Sequence, residues 1–115
     1  MSDIITLKEN RDFGRLYKKG KCIVSPVLVT YILKNKTNNL RFGITTGKKI
    51  GNAVKRSRSR RVIRISFRNL SDNIKTGYDF VFVARGKTPF VKSYVVEKAM
   101  KQALVQAGIF KEGSV

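Results

Sequence analysis

The sequence predicts an α+β fold, a single-domain sandwich in which helices pack on one mixed β-sheet. Its 115 residues suit one domain, and 42% of them are hydrophobic, which is enough for a folded core. Helix-type and strand-type patterns follow one another in a fixed order: a helix, two or three antiparallel strands, a helix, a strand and a helix. No internal repeat or linker interrupts this order, so we expect residues 1–115 to form a single domain.

The first element is predicted to be a short amphipathic helix over residues 7–19. Phe13, Leu16 and Tyr17 fall at helical spacing on one face. The lysines at the end of the segment suit the negative end of a helix dipole, and Gly20 can terminate the helix.

Residues 21–34 and 40–45 predict strands. The β-rich run VLVTYIL follows Pro26, which should break this strand region or place it at a sheet edge. After the turn NKTNN, apolar and other residues alternate from Leu40, which is typical of a half-exposed strand. We predict that the two segments form an antiparallel hairpin.

A long helix is predicted from Asn52 or Ala53 to Asn69, with Asn52 as its N-cap. At 100° per residue, one side of this helix carries a basic stripe within an arc of about 100°. This arginine ridge consists of Ser57, Arg60, Arg61, Arg64 and Arg68. Two apolar flanks should be buried: Val54, Val62 and Ile65 on one side, and Ile63, Phe67 and Leu70 on the other.

The rest of the chain predicts a turn, a buried strand and a final helix. Tyr78 to Ala84 is almost continuously apolar, which is typical of a central strand covered on both faces. Residues 93–107 place apolar side chains on one helical face, and Gly108 can end that helix.

The distribution of charge indicates a polyanionic partner. The formal net charge is +18, and residues 13–71 contain 16 basic side chains but no carboxylate. Like charges at i,i+4 disfavour a helix by a few tenths of a kcal/mol per pair, and phosphate is the common counter-charge. We therefore expect nucleic-acid binding, with an anionic membrane surface and an unpartnered solvated basic face as weaker alternatives.

Several other classes of protein are disfavoured. The chain has no His, and its seven carboxylates are scattered, whereas a two-metal nuclease needs several that converge. Cys22 is alone, no apolar run approaches a membrane span, and the N-terminus lacks a signal-peptide pattern, so we expect a cytoplasmic protein. Residues 76–83 partly match an RNA-recognition-motif strand, but Asp79 would place a carboxylate where bases stack.

The segment GKKIGNAVKRSRSRRVIRISF (residues 47–67) resembles the signature of the bacterial ribonuclease P protein subunit family. The likeness extends to a DF-x-x-hydrophobic-aromatic-KKG helix (12–20), an R-x-G-hydrophobic strand (41–44) and a strand ending in Ala-Arg (79–85). The resemblance implies an αβββαβα order with a left-handed βαβ crossover, like domain 2 of ribosomal protein S5, although right-handed crossovers are the general rule.

The resemblance also implies a function. The protein would be the non-catalytic subunit of an endoribonuclease, a monomer bound to one catalytic RNA, which removes the 5′ leader of precursor tRNA. The RNA and substrate would hold the Mg²⁺ ions, and the protein would have neither catalytic residues nor a metal site. The alternative is a ribosomal or other structural RNA-scaffold protein.

Two RNA-binding surfaces follow from the resemblance. The surface for the catalytic RNA would comprise Lys48, Lys49, Asn52, Arg56, Ser57, Arg58, Arg60, Arg61, Arg64 and Arg68. A cleft between the first helix and the sheet would bind the single-stranded leader through Phe13, Tyr17 and Tyr31, although Phe13 and Tyr17 could simply be core residues. Ser57 stands where the family has asparagine, and its side chain lacks the reach of that amide.

Overall fold

Five strands form one mixed sheet in the computed structural model, which describes residues 4–111. The strands are β1 (Ile4–Thr6), β2 (Lys21–Val24), β3 (Leu28–Lys34), β4 (Leu40–Thr45) and β5 (Tyr78–Ala84). Their order across the sheet is β1-β4-β5-β3-β2. The helices are α1 (Asn10–Lys19), α2 (Ala53–Leu70) and α3 (Ser93–Gln106). The predicted α+β class, mixed sheet and three helices are confirmed.

The sheet contains one strand that was not predicted, a short strand at the start of the chain. The break around Pro26 separates β2 from β3, as predicted. β1 was not predicted, because three residues are too few for a periodic pattern; it pairs parallel with β4 and adds a fifth strand before α1. α2 joins the parallel strands β4 and β5, which gives the expected βαβ unit. The left-handedness of that unit stays a prediction.

The predicted hairpin between β3 and β4 is wrong, because β5 lies between them. β3 pairs antiparallel with β5, and β4 pairs parallel with β5. The turn NKTNN spans the start of β5: the Asn35 N–H donates to the Gly77 carbonyl at 2.8 Å, and the Gly77 N–H donates to the Asn39 carbonyl at 3.2 Å. β5 takes the centre because its apolar side chains need cover on both faces.

The main core lies between the sheet and the helices α2 and α3. Phe67 of α2 contacts the rings of Phe42, Phe80 and Phe82, with centroid distances from 4.7 to 5.4 Å. Met100 of α3 is fully buried in the same cluster. Burying a side chain of this size stabilises the fold by about 1.5–3 kcal/mol, so this cluster fixes α2 on the sheet.

α1 packs on the opposite face of the sheet. Leu16 of α1 is fully buried against Leu7 and Val81, and Val81 alternates along β5 with the phenylalanines of the main core. Because α1 is short, it covers only part of this face. Tyr31 and Val83 therefore remain half-exposed beyond it.

α2 follows the prediction at its start but not along both flanks. Asn52 caps the helix by accepting from the Lys55 N–H at 3.0 Å, as predicted. Val54 and Ile65 are 76% and 48% exposed, so their predicted burial is wrong. The buried face is completed instead by two serines, Ser59 and Ser66. One of these is Ser59, whose hydroxyl donates to the Lys55 carbonyl at 2.9 Å and is thereby satisfied in the core.

Candidate nucleic-acid interface

α2 presents most of the arginine ridge to solvent. Ser57, Arg61, Arg64 and Arg68 are exposed, and Arg60 is half-buried. The phenylalanine cluster on the other side of the helix fixes this orientation. Among residues 4–111 there are four ion pairs: Arg11–Glu9, Arg15–Asp12, Arg15–Asp79 and Arg41–Asp79. None involves α2, so the ridge has no carboxylate partner in this part of the chain.

The predicted arginines fall into two groups. Arg58 donates from Nε to the Pro89 carbonyl at 2.9 Å, which ties α2 to the loop after β5. Arg60 donates from Nη1 to Thr46 Oγ1 at 2.8 Å. By contrast, no side-chain hydrogen bond within residues 4–111 engages the ridge members further along α2, which are Arg61, Arg64 and Arg68. Their planar guanidinium groups remain available for bidentate contacts with phosphate.

The remaining predicted residues of this surface lie at the start of α2. Lys48 and Lys49 occupy an exposed 3₁₀ turn directly before the helix. Asn52 uses its side-chain oxygen for capping, and its amide nitrogen can still donate to a ligand. Arg56 is half-buried in the first turns. The predicted basic residues therefore lie on α2 and on the turn that leads into it.

α1 and β3 place the predicted aromatic residues on one face of the sheet, and we call this region the aromatic cleft: Phe13, Tyr17 and Tyr31. The rings of Tyr17 and Tyr31 meet edge to face, with centroids 5.0 Å apart and planes at 75°. Tyr17 is 42% exposed, and its hydroxyl shares a hydrogen bond of 2.7 Å with Thr45 Oγ1. This bond holds an exposed ring at the mouth of the cleft.

Phe13 also has a packing role. It is half-buried beside Leu7 and Leu16 and lies over Gly43 of β4. A Cβ atom at Gly43 would lie 2.7 Å from Phe13 Cε1, closer than such atoms approach one another. Glycine therefore allows α1 to sit close to the sheet. Phe13 therefore packs against the core without being fully buried, and its contact with nucleic acid stays a prediction.

Two grooves extend from this aromatic cleft. The first, of about 440 Å³, is lined by Asn10, Phe13, Tyr17, Ile44, Thr45, Thr46 and Arg60. It places Arg60 where the arginine ridge meets the cleft. The second, of about 520 Å³, runs over the uncovered sheet and is lined by Cys22, Val24, Val29, Tyr31, Lys49, Ile50, Val83, Ala84, Arg85 and Gly86. It has an apolar floor with Lys49 and Arg85 at its rim.

Arg85, Thr45 and Thr46 were not among the predicted site residues. Their only sequence signal was a position at the end of a strand or in the adjoining loop, and only the sheet order brings them beside the aromatic cleft.

The Tyr31 hydroxyl stays neutral in this basic setting. Hydrogen bonding to Cys22, its cross-strand partner, is the main cause that raises the pKa of Tyr31, and burial raises it further. A neutral phenol adds no negative charge to a groove that would receive phosphate.

A buried carboxylate fixes α1 relative to the sheet. Asp79 of β5 is 1% exposed. Arg41 donates to both of its oxygens at 2.7 Å, Arg15 of α1 donates at 2.9 Å, and Asn35 donates at 2.8 Å. The hydrogen bonds to Asp79 are the main cause that raises the pKa of Arg41, which keeps this guanidinium charged. The network thereby positions Phe13 and the rest of α1.

Within residues 4–111, no three His, Cys, Asp or Glu side chains come close enough together to hold a metal ion. In the same range, none of the helices combines the length and apolar character needed to cross a membrane.

Comparison with known proteins agrees with this architecture. A protein-family model described as Ribonuclease P matches residues 1–108. The ribonuclease P protein component of Clostridium beijerinckii is 40% identical over an alignment that covers 97% of this chain and 95% of that protein.

Two solved structures have the same fold. One is a Staphylococcus aureus RNase P protein mutant with defective mRNA degradation activity; it has a TM-score of 0.82 at 32% identity, over 91% of this chain and 89% of that chain. The other is the RNase P protein from Thermotoga maritima, with a TM-score of 0.79 at 28% identity, over 88% of this chain and 96% of that chain. The chain therefore belongs to the ribonuclease P protein component family.

Proposed function

We propose that this ribonuclease P subunit binds a catalytic RNA through the arginine ridge and the 5′ leader of precursor tRNA in the aromatic cleft. The RNA carries the chemistry, an endonucleolytic cleavage that releases the mature 5′ end of the tRNA. The observation that supports this most directly is the arginine ridge, which has no carboxylate partner within residues 4–111 and meets the aromatic cleft at Arg60.

Each surface suits a different part of the RNA. Guanidinium groups on a fixed helix bind phosphates without reading sequence, and each phosphate neutralised releases counterions. The cleft offers rings on which unpaired bases stack, at about 1–3 kcal/mol per base and with tolerance of sequence. Because Arg60 lies in both, a leader in the cleft would be adjacent to the RNA bound on the ridge.

The metal ion that such a cleavage needs is proposed to be Mg²⁺ held by the RNA and substrate. The described residues of this chain do not offer a matching set of convergent carboxylates. We further propose that one monomer joins one catalytic RNA and that the complex works in the cytoplasm. Family membership favours this function over a ribosomal scaffold role.

Cleavage at low Mg²⁺ tests the proposed function. Adding the protein to its cognate catalytic RNA and precursor tRNA should increase both the cleavage rate and the affinity for substrate, because added positive charge offsets phosphate repulsion when Mg²⁺ is scarce. The rate is measured in single-turnover reactions with end-labelled precursor. Unchanged cleavage and affinity would contradict the proposal, and co-purification with ribosomal RNA alone would favour the scaffold alternative.

The same experiment has an RNA-free arm. We expect the purified protein, stripped of nucleic acid, to cleave neither precursor tRNA nor an mRNA. The mRNA is included because the Staphylococcus aureus mutant is described as defective in an mRNA degradation activity. Cleavage by the protein alone that is lost on mutation of its carboxylates would place chemistry on the protein and overturn this part of the proposal.

Tyr17 provides the sharpest test of leader binding in the aromatic cleft, because it is more exposed than Phe13 and Tyr31. Tyr17→Ala should weaken the binding of substrates that carry a 5′ leader by about 5- to 100-fold, since one aromatic ring for base stacking is lost. Tyr17→Phe keeps the ring and should remain close to wild type, although it loses the hydrogen bond to Thr45. Affinities for precursor and mature tRNA, measured with the holoenzyme, separate the effects; an equal loss for both substrates would indicate a general defect.

A further inference from the structure

An exposed phenylalanine lies beside α2 on the side away from the aromatic cleft. Phe90 is 69% exposed and ends a 3₁₀ turn, Thr88–Phe90, between β5 and α3. Arg58 reaches this turn and Arg60 reaches the aromatic cleft. Two residues along a helix correspond to about 200° of rotation, so the two arginines point to opposite sides of α2.

The backbone around Phe90 is held in place although its ring is exposed. The Phe90 N–H donates to the Lys87 carbonyl at 3.0 Å. Arg58 donates to the carbonyl groups on either side of Phe90, at 2.9 Å to Pro89 and 3.5 Å to Val91. An exposed ring on a fixed backbone can bind a flat partner at little cost in conformational entropy.

The charge around this ring favours a polyanion over a protein. Lys55 Nζ lies 4.9 Å from the centroid of the Phe90 ring. Residues 85–96 contain no carboxylate, and their exposed side chains include Arg85, Lys87 and Lys92. A second copy of a chain with net charge +18 would be repelled here, whereas a nucleotide supplies both a flat base and a phosphate.

We propose that Phe90 is a stacking site for an unpaired base of the partner RNA, with Lys55 contacting the adjoining phosphate and Arg58 holding the turn in place. The inference rests on the proposed binding of that RNA to the arginine ridge. It extends the interface across α2 to the loop between β5 and α3. The site is distinct from the leader cleft, because Arg58 and Arg60 separate the two along opposite sides of the helix.

A tryptophan reporter tests this site. The chain has no Trp, so Phe90→Trp introduces a single indole whose emission is quenched when a base stacks on it. Phe110→Trp is the control for an aromatic ring under a lysine elsewhere on the surface: Phe110 is half-buried, and Lys101 Nζ lies 5.5 Å from its ring centroid. We expect saturating catalytic RNA to quench the indole at position 90 and to leave the one at position 110 nearly unchanged.

Affinity measurements complete the test. Phe90→Leu should weaken binding of the catalytic RNA by about tenfold, whereas Phe90→Tyr should bind like wild type, because only an aromatic ring gives full stacking.

If the Phe90→Trp protein still binds the RNA but its indole is not quenched, this inference is overturned and the proposed function stands. RNA-free emission that changes with protein concentration would assign the ring to a contact between copies and overturn the inference as well. Failure of the wild-type protein to bind the RNA in a filter assay would instead count against the proposed function itself.

Discussion

Replacing Arg61, Arg64 and Arg68 together with alanine is expected to weaken binding of the catalytic RNA on the order of 100-fold near physiological salt. A hydrogen bond to a charged group contributes about 1.5–3 kcal/mol, and even about 1 kcal/mol from each arginine would give this loss. These three side chains are exposed and make no hydrogen bond or ion pair within residues 4–111. Their replacement therefore breaks no polar contact of the fold in that range.

The dependence on salt should change in parallel. Each phosphate contact contributes roughly −0.7 to −0.9 to the slope of log affinity against log salt concentration. The triple variant should therefore have a slope shallower by about 2 to 3, measured by filter binding between about 50 and 200 mM monovalent salt. Its melting temperature should be unchanged or higher, because alanine is a good helix former and like-charge repulsion along α2 falls.

A charge-matched control separates the ridge from net charge. The exposed residues Lys75, Lys98 and Lys111 lie outside α2, and their replacement with alanine removes the same three charges. This control should lose much less affinity and retain most of the salt slope. Equal losses in the two triple variants would mean that the protein attracts RNA through overall charge, and the arginine ridge would not be a defined interface.

The arginine ridge could be predicted from the sequence because the pattern that defines it lies within a single helix. The acid-free segment, the Asn52 cap and the 100° periodicity all lie within one helix, and the helix formed as expected. Periodicity did not determine which flank was buried, so Val54 and Ile65 were misplaced. The buried face includes the small polar residues Ser59 and Ser66, which a pattern of apolar residues does not select.

The strand order could not be read from the sequence in the same way. Adjacent strand patterns favour a hairpin, but the insertion of β5 between β3 and β4 depends on pairing between residues 38 to 56 positions apart. The same rearrangement brings Arg41 and Asp79 together, so their ion pair was also invisible in the sequence. The family motifs named the aromatic residues of the cleft, and only the fold shows that Arg60 joins it to the ridge.

Asp79→Asn should be the most destabilising single substitution among the polar residues of the described range, by about 2–3 kcal/mol. Breaking a buried ion pair typically costs about 3–5 kcal/mol, and we reduce this value because the Arg15 and Arg41 side chains are 39% and 26% exposed. Asparagine preserves the shape of Asp79 but presents an amide N–H₂ where one oxygen now accepts from a guanidinium. α1 would then lose its polar anchor to β5.

The melting temperature of Asp79→Asn should fall by roughly 10–15 °C, measured by circular dichroism, and leader-dependent affinity should fall with it because α1 carries Tyr17.

The pKa of Arg41 is raised in the folded protein, so the stability that its charge provides is present below the ordinary arginine pKa and is lost only above it. Arg41 should therefore add no pH dependence to the stability up to about pH 11.

Asp12→Asn is the matched control for Asp79→Asn: it removes the longer, 3.3 Å pair with Arg15 and should cost about 1 kcal/mol or less. If the two substitutions lowered the melting temperature equally, the buried network would not be what holds α1 on the sheet.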